Sequence, residues 1–481
     1  MSTTIQKGNR PVELIHAVIV VLLMFAFRFI PPPEPITAYG MTVIGIFLGV
    51  IYGWSFCGLL WPSLLALVAM GVSQFGNEMS VWAAAFGNST AVLTLVSMLL
   101  FGAMQATKTT DWLVNALTNL RFAQGKPWVL TFLLLFVPFV LGTVISGVVV
   151  ILFMMTILDG IFKKMGLKPG DKYAVMMIIG VNIFAGIGMV VFPFLGWDLM
   201  TIGTVSAATG VMMNYTMFMV VVWPALILFC IAYVLFMKYI LRCDASKLAE
   251  IQMNDSEDNT LKQNQRYILY LTAAYLILCT LVGLFTGTSG LRYVCSALGV
   301  YGVTLLIIVL MVFIKTEEGP LLNPMECTKF VSWDMYFLIV AALFIANQLT
   351  NVETGISTWA VQTMTPMFNS LGEVGFLVVL AIITVILTNI GNNLAMGFTL
   401  LSIVSIMYNA GMAFNPMVAA TLITILCLFG FMFPASSIGG AIIHASEWTT
   451  PKMIYKYVSL SLLLGVVIIL IIVIPLGNLL F

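Results

Sequence analysis

The chain has 481 residues, of which 61% are hydrophobic and 8% are charged, and its 20 Lys and Arg nearly balance its 19 Asp and Glu. An average soluble domain is roughly a quarter charged, so this chain lacks the polar side chains needed to cover a water-facing surface. The composition excludes a soluble enzyme, a nucleic-acid-binding protein and a disordered protein, and it predicts an all-α polytopic membrane protein. The seven cysteines include no CxxC pair, which indicates neither a disulfide framework nor a metal site.

Apolar runs of about 20 residues, the length that crosses a bilayer as a helix, recur along the whole chain. We predict about eleven transmembrane helices, at 14–30, 37–55, 57–73, 90–107, 173–208, 213–240, 266–287, 294–314, 332–349, 416–446 and 455–479. The first run has no small-x-small cleavage site and ends at Pro31-Pro32-Pro33. We therefore expect a retained helix rather than a cleaved signal peptide.

Two further apolar stretches, 127–162 and 371–410, are interrupted near their middles by small and polar residues. The interruptions are Gly142 to Gly147 and Thr388 to Asn393. Each stretch is either two full spans or one re-entrant hairpin. Backbone can break at membrane depth only where it is buried in protein or lines a cavity. The broken middles favour two re-entrant hairpins.

The basic residues are distributed unevenly between the two predicted faces of the membrane. With the N-terminus inside and both interrupted stretches returning to their starting side, 18 of the 20 Lys and Arg lie on the cytoplasmic side, leaving Arg28 and Arg292 outside. This bias follows the positive-inside rule and predicts a cell (inner) membrane protein with a cytoplasmic N-terminus and an outside C-terminus. Double-crossing stretches would give the same count, so the bias supports the topology and not the re-entrance.

The polar segment 242–265 predicts a cytoplasmic linker between two halves. The first helix lies in 1–36, and segments 37–241 and 266–481 then show the same order of parts: spans, an interrupted stretch and a long span broken by Gly and Pro. Because the second half would enter from the opposite side, we predict two inverted-topology repeats, an architecture whose sites lie at the midplane beside broken helices. The alternative is that Gly-rich membrane helices resemble one another by composition alone.

Polar side chains concentrate in the interruption of the second hairpin, where Thr388, Asn389, Asn392 and Asn393 fall within six residues. Unpartnered amides in lipid cost several kcal/mol each, so this cluster indicates water, an ion or a ligand, although hydrogen bonding to neighbouring helices is the alternative. The first interruption offers only Thr143 and Ser146, for which both interpretations stand equal.

Three other residues are candidates for ion coupling. Ser436 and Ser437 lie in the span at 416–446, the second of the two spans broken by Gly and Pro. Hydroxyls at such a break suit Na⁺ or carboxylate coordination, but they also commonly bond back to their own helix. Asp198 follows Trp197 in the first broken span. An ionisable group inside the membrane is a proton or cation site by default. If the span crosses the membrane in a different register, Asp198 would merely lie at the interface.

At these hairpins and broken spans the chain resembles the divalent anion/sodium symporter family of the ion transporter superfamily, which carries a Ser-Asn-Thr signature at each hairpin tip. The corresponding triplets are Ser146-Gly147-Val148 and Gly391-Asn392-Asn393. The stretch Phe431 to Ile442 looks like the family's segment ending in Thr-Pro-Pro-Asn, with Ser437 in the Thr position. The order of parts covers nearly the whole chain.

The family's tips bind substrate carboxylates and, together with the broken spans, form two sodium sites. The resemblance therefore implies that Asn392 contacts substrate and that Gly391, Asn393, Ser436 and Ser437 line the second ion site. Ser146 keeps one position of the first site, whereas Gly147 and Val148 lack the other two side chains. The resemblance also implies a homodimer.

We accordingly predict a secondary active transporter, not an enzyme, that moves a small organic anion, a di- or other carboxylate, by Na⁺ or H⁺ symport and alternating access, with no other cofactor. The predicted substrate-binding residues are Asn392, Asn393, Thr388, Asn389, Ser146 and Thr143. The predicted ion-coupling residues are Ser146, Gly391, Asn393, Ser436, Ser437 and Asp198. The alternatives are an anion exchanger or uncoupled carrier of the same fold and, from another class, a membrane-embedded enzyme or a channel.

Overall fold

A computed structural model describes residues 10–110, 112, 125–143, 147–193, 196–250, 261–284, 289–317, 319–359, 362–363, 371–434 and 436–481. These residues are predominantly helical, and the strands among them are a two-residue antiparallel pair, β1 (Lys315–Thr316) and β2 (Gly319–Pro320). The structure thus confirms the all-α class, with one minimal hairpin of strands between two helices.

The α-helices follow the predicted apolar runs. Up to the predicted linker they are α1 (Arg10–Ala26), α2 (Ala38–Phe56), α3 (Leu60–Gly71), α4 (Glu78–Phe86), α5 (Ser89–Ala106), α6 (Pro127–Gly142), α7 (Gly147–Met165), α8 (Lys172–Gly188), α9 (Gly196–Thr209) and α10 (Tyr215–Leu235). After it they are α11 (Gln263–Leu284), α12 (Gly290–Phe313), α13 (Pro324–Cys327), α14 (Trp333–Leu349), α15 (Gly372–Ile390), α16 (Asn393–Asn409), α17 (Pro416–Leu426), α18 (Ile438–Ala445) and α19 (Pro451–Leu480).

Long apolar helices identify the chain as an integral membrane protein. Within the described residues, seven helices are long and apolar enough to cross a bilayer: Pro11–Phe29, Ala38–Phe56, Ser89–Ala106, Tyr215–Ile240, Gln263–Val282, Gly372–Ile390 and Pro451–Leu480. Their outer faces carry large apolar side chains that water would disfavour, such as Leu14 and Ile471, each 66% exposed. Those faces suit lipid contact.

Several predicted spans differ in detail from the observed helices. The run 57–73 yields a helix of only 12 residues, about 18 Å long and therefore shorter than the hydrocarbon core. The run 294–314 is interrupted at Gly299, whose φ of 55° and ψ of −175° are not helical. A short helical segment, Pro324–Phe330, precedes α14 at a bend of 76°. Helix α4 lies outside the predicted runs.

The chain divides into two compact units, each built from three separate segments. Unit 1 comprises Met1–Val92, Leu199–Met212 and Ser332–Ile423, and unit 2 comprises Leu93–Asp198, Met213–Val331 and Thr424–Phe481. Unit 1 therefore contains the second hairpin, α15 and α16, while unit 2 contains the first hairpin, α6 and α7.

In unit 1, helix α2 packs against α1, α3, α14 and α16. Aromatic side chains fill this contact: the ring of Phe398 on α16 lies 5.7 Å from that of Phe47 and 5.2 Å from that of Trp54, centroid to centroid. The Tyr39 hydroxyl donates a buried hydrogen bond of 2.9 Å to Oε1 of Gln348 on α14. The ring contacts of Phe398 hold the helix that begins at the second hairpin tip against α2.

In unit 2, helix α8 is buried along almost its whole length and packs against α6, α7 and α19. A helix that is apolar on all sides needs such surroundings. Gly180 on α8 makes room for Leu135 and Tyr233, and the Tyr233 hydroxyl donates a 2.8 Å hydrogen bond to the Met176 carbonyl. These contacts enclose α8 within unit 2.

Candidate functional site

In unit 1, the second hairpin turns within two residues. Helix α15 ends at Ile390, Gly391 is extended with φ −117° and ψ −178°, and Asn392 is the N-cap of α16. The predicted interruption coincides with this turn. It places the N-terminus of a 17-residue helix at the hairpin tip, where backbone N–H groups that lack a carbonyl partner in the helix give a partial positive charge.

The two polar atoms of the Asn392 side chain have different roles: one caps a helix and the other is left as a donor. Its Oδ1 accepts hydrogen bonds from the backbone N–H groups of Leu394 (2.9 Å) and Ala395 (3.3 Å), which caps α16. Its Nδ2 group has no partner among the described residues, and the side chain is partly exposed. The cap thereby fixes an amide donor at the positive end of a helix.

Asn393 is held in the same way by the preceding helix. The buried Thr388 hydroxyl donates to Asn393 Oδ1 at 2.8 Å, so the Asn393 Nδ2 group is also left as a donor within the described part of unit 1. Asn389 is buried, and its amide donates to the Val385 carbonyl one turn back in its own helix. The tip thus presents two amide NH₂ groups beside a helix N-terminus, which is anion-binding chemistry.

In unit 2, backbone atoms of the first hairpin pack directly against backbone atoms at the end of α8. A Cβ atom on Gly142 would lie 2.5 Å from the Ala185 carbonyl oxygen and 3.2 Å from the Gly188 Cα, and one on Gly188 would collide with the Phe139 carbonyl oxygen. Glycine is required on both sides of this contact. Thr143 is buried after Gly142, and its hydroxyl donates to the Val140 carbonyl at 2.7 Å. Ser146 lies outside the described residues.

The second broken span forms a loop of carbonyl and hydroxyl oxygens in unit 2. The hydroxyls of Ser436 and Ser437 both donate to the Gly430 carbonyl, at 2.9 and 2.6 Å. Ser437 is also the N-cap of α18, where its Oγ accepts from the Gly440 N–H at 2.9 Å. Ser436 has a second acceptor in the Phe433 carbonyl at 2.7 Å. The two hydroxyls therefore close the break, and their oxygens retain lone pairs.

Asn182, in the middle of α8, faces this break and is absent from the predicted site. Its side chain is completely buried, and its Nδ2 donates to the Ile178 carbonyl at 2.8 Å. Its Oδ1 has no hydrogen-bond partner within the described residues, and it would lie 3.1 Å from a Cβ on Gly439 at the start of α18. An orphaned buried carbonyl oxygen costs roughly 1–3 kcal/mol. Its one sequence signal is an isolated amide within an apolar run.

Asp198 lies in the first turn of α9 and is completely buried in unit 2. Its neighbour Trp197 is anchored by a 2.9 Å hydrogen bond from Nε1 to the Thr424 carbonyl. A carboxylate in the first turn of a helix is stabilised by the N–H groups there. Burial within the protein does not fix its depth in a membrane, so the intramembrane position of Asp198 stays a prediction.

The structure therefore groups the predicted residues in two places. Unit 1 brings together Thr388, Asn389, Gly391, Asn392 and Asn393 at one hairpin tip. Unit 2 contains Thr143, Asp198, Ser436 and Ser437, of which the two serines share one carbonyl acceptor. The first group is rich in donors and the second in acceptors.

Apolar spans, interrupted helices and polar groups held at the interruptions define a membrane transporter rather than an enzyme. Residues 50–426, more than three quarters of the chain, match the sequence model of the citrate transporter family. The chain belongs to the citrate transporter family, within the ion transporter superfamily, and it is a secondary transporter. The narrower assignment to the divalent anion/sodium symporters stays a prediction. No curated protein sequence matches the chain.

Two solved transporter structures are similar in fold. MtrF of Neisseria gonorrhoeae, described as illuminating a class of antimetabolite efflux pumps, has a TM-score of 0.56 and 13% identity, with 95% of this chain and 94% of MtrF covered. The YdaH transporter of Alcanivorax borkumensis, described as having an unusual topology, has a TM-score of 0.52 and 12% identity, with coverage of 81% and 86%. At these identities the similarity establishes the fold alone.

Proposed function

We propose that this protein transports a small organic anion, a di- or tricarboxylate, by Na⁺ symport through an alternating-access mechanism. The family match supports a small anionic substrate. The second hairpin tip supports a carboxylate substrate most directly. There the side-chain oxygens of Asn392 and Asn393 accept hydrogen bonds from the protein, and both amide NH₂ groups are left as donors among the described residues. A carboxylate accepts such donors with both oxygens.

The coupling cation is proposed to bind in unit 2, at the second broken span. A sodium ion needs oxygen ligands, and the Asn182 Oδ1, the two serine hydroxyls and the Gly430 carbonyl supply them around one break. The Asn182 oxygen supports this proposal most directly, because a bound cation would remove the cost of leaving it unpartnered. The predicted ion-coupling roles of Gly391, Asn393 and Ser146 remain proposals from the family resemblance.

The test is ligand-dependent thermal stability of the purified full chain. Citrate, succinate, acetate and sulfate are each added in NaCl and in choline chloride, since a ligand that binds only the folded state raises the melting temperature by mass action. We expect a di- or tricarboxylate to raise the melting temperature in NaCl and much less in choline chloride. No shift with any anion would contradict the proposed substrate class.

The variant Asn392→Asp localises the site. Aspartate is as good an N-cap as asparagine, so α16 keeps its cap, but the amide donor is replaced by a negative charge that repels a carboxylate. We expect the anion-dependent shift to disappear. Asn88→Asp is the matched control, because Asn88 Oδ1 also accepts from two backbone N–H groups at the start of a helix, Thr90 at 2.9 Å and Ala91 at 3.4 Å. An unchanged shift in Asn392→Asp would overturn the proposed tip site.

Proton coupling through Asp198 is the second candidate mechanism. Complete burial of this carboxyl in unit 2 supports it, because buried ionisable groups in membrane proteins are generally functional. We expect Asp198→Asn to lose the pH dependence of transport in proteoliposomes if protons are coupled there. Transport by Asp198→Asn with the pH profile of the unmodified chain would exclude this role and leave sodium as the coupling ion.

Exchange and channel activity are separated by the same proteoliposomes. An exchanger requires an anion on the opposite side and no cation gradient, and a channel passes current without saturating. Uptake driven by an inward Na⁺ gradient into vesicles that hold no counter-anion would exclude both.

A further inference from the structure

A cavity in unit 2 is lined by none of the residues of the hairpin turns or the helix breaks. Its volume is about 530 Å³, and it is lined by the start of α8, the segment after α10 and the start of α19. A cavity of this volume falls within the usual range for small-molecule sites. The loops that form it are those that the charge distribution predicts to be cytoplasmic.

Three cationic side chains line this cavity: Lys172, Arg242 and Lys247. Arg242 and Lys247 are exposed and form no ion pair within the described residues, while the Lys172 ammonium donates to the Leu241 carbonyl at 3.2 Å. Arg242 has a left-handed backbone with φ 50°, two residues after the end of a π-helical turn at Phe236–Ile240. The chain thus adopts an unfavourable conformation at the residue that carries one of these charges.

Two carboxylates also line the cavity, and each accepts hydrogen bonds from a residue two or three positions away. Asp171 Oδ2 accepts from the Lys168 N–H at 2.7 Å. Asp244 Oδ1 accepts from both the hydroxyl (2.7 Å) and the N–H (2.9 Å) of Ser246, and these bonds lower the pKa of Asp244 below its usual value. The lining therefore keeps a net positive charge even with both carboxylates ionised.

The N-terminus of α8 adds a second source of positive potential. Asp171 is its N-cap residue but makes no side-chain cap, because its carboxylate is turned to Lys168. The first N–H groups of this 17-residue helix therefore have no side-chain cap from Asp171. The partial positive charge of the helix start lies at the cavity that the three cations line. Apolar side chains, Met165, Leu167 and Met453, complete the lining.

We propose that this cavity binds a phosphate group, either in the headgroup of an anionic phospholipid or as free phosphate. Uncapped helix N-termini and clustered Lys and Arg are both phosphate-binding features, and basic pockets at the cytoplasmic ends of membrane helices bind anionic headgroups. The apolar part of the lining suits the glycerol and upper acyl chain of a lipid. This site does not depend on the proposed transport function.

The experiment uses the full chain in nanodiscs of phosphatidylcholine, with or without phosphatidylglycerol, and measures lipid binding by native mass spectrometry. Inorganic phosphate is titrated separately into the phosphatidylcholine discs, with the melting temperature as readout. We expect wild-type protein to bind phosphatidylglycerol or phosphate. Arg242→Gln and Lys247→Gln should each weaken the measured affinity about fivefold, the effect of one surface charge on an anionic headgroup.

Lys164→Gln is the matched control, because Lys164 is an exposed lysine of the same unit that does not line the cavity. Competition by inorganic phosphate against the lipid separates the two sources: displacement of bound lipid places both ligands in the cavity, and binding of phosphatidylglycerol alone identifies a lipid site. The proposal is overturned if neither ligand binds, if Arg242→Gln and Lys247→Gln bind like wild type, or if Lys164→Gln weakens binding equally.

Discussion

The second hairpin tip and the second broken span are both small clusters of uncharged polar residues, yet they present opposite chemistry. At the tip, the oxygens of Asn392 and Asn393 accept internal hydrogen bonds, so N–H groups remain. At the break, the serine hydroxyls use their protons internally, and the Asn182 oxygen has no partner in the described structure. The type of residue therefore does not determine which ion a cluster attracts; its internal hydrogen bonds do.

The largest expected effect comes from removing one donor at the tip while keeping the helix cap. Serine is also a good N-cap, so Asn392→Ser retains the acceptor and deletes the amide NH₂ group. A hydrogen bond to a charged partner contributes about 1.5–3 kcal/mol, which corresponds to a loss of carboxylate affinity of roughly 10- to 100-fold. Isothermal titration checks the affinity, with Asn88→Ser as the control cap. Equal affinities in wild type and Asn392→Ser would remove the tip from the substrate site.

The packing of the first hairpin on the end of α8 depends on a backbone contact that a single methyl group should disturb. Gly188→Ala pushes a Cβ into the Phe139 carbonyl, and we expect destabilisation of about 1–3 kcal/mol from overpacking. Gly160→Ala on α7 is the counterpart, because nothing lies within 4 Å of the added Cβ and replacing a helical glycine stabilises by about 0.5–1 kcal/mol. Chemical denaturation or melting in detergent should move in opposite directions for the two variants.

Asn182→Leu tests whether the acceptor region is kept for a cation. The substitution removes an unpartnered buried oxygen, and we expect the sodium-free protein to gain about 1–2 kcal/mol of stability. The same variant should lose any sodium-dependent rise in melting temperature. A loss of stability in choline chloride, or a sodium response equal to that of wild type, would show that the oxygen has no such role.

The smallest effect is expected at Thr388, a buried residue whose hydroxyl holds the Asn393 amide. Thr388→Val keeps the shape of the side chain and removes the 2.8 Å bond to Asn393 Oδ1. One neutral hydrogen bond contributes about 0.5–1.5 kcal/mol, so carboxylate affinity should fall about two- to tenfold. The same titration as for Asn392 measures it. Thr384→Val is the control, because the Thr384 hydroxyl donates to the Leu380 carbonyl of its own helix.

The positions of the elements are predictable from the sequence because membrane helices require long apolar runs. The turn at Gly391 and Asn392 and the loop before Ser437 both fall in interruptions that are visible as clusters of small and polar residues. The short helix Leu60–Gly71 and the break at Gly299 are not predictable in this way, because apolar composition continues through them.

The chemistry of the sites is less accessible to sequence reasoning. Four polar residues at the second tip mark it as a candidate site. Only the cap geometry distinguishes Asn392, whose Nδ2 group has no partner among the described residues, from Asn389, which bonds back to Val385. Asn182 escapes because a lone amide in an apolar helix is usually a contact to a neighbouring helix. Its significance arises from the approach of Gly439, which is more than 250 residues away in sequence.

The contact between Gly142 and Gly188 has a genetic consequence. It joins backbone to backbone, so the opposing surface has no side chain that a second mutation could shorten to make room. A bulky substitution at either glycine should therefore yield few compensating mutations at the other position in a suppressor screen. Revertants restoring glycine itself should dominate the recovered clones.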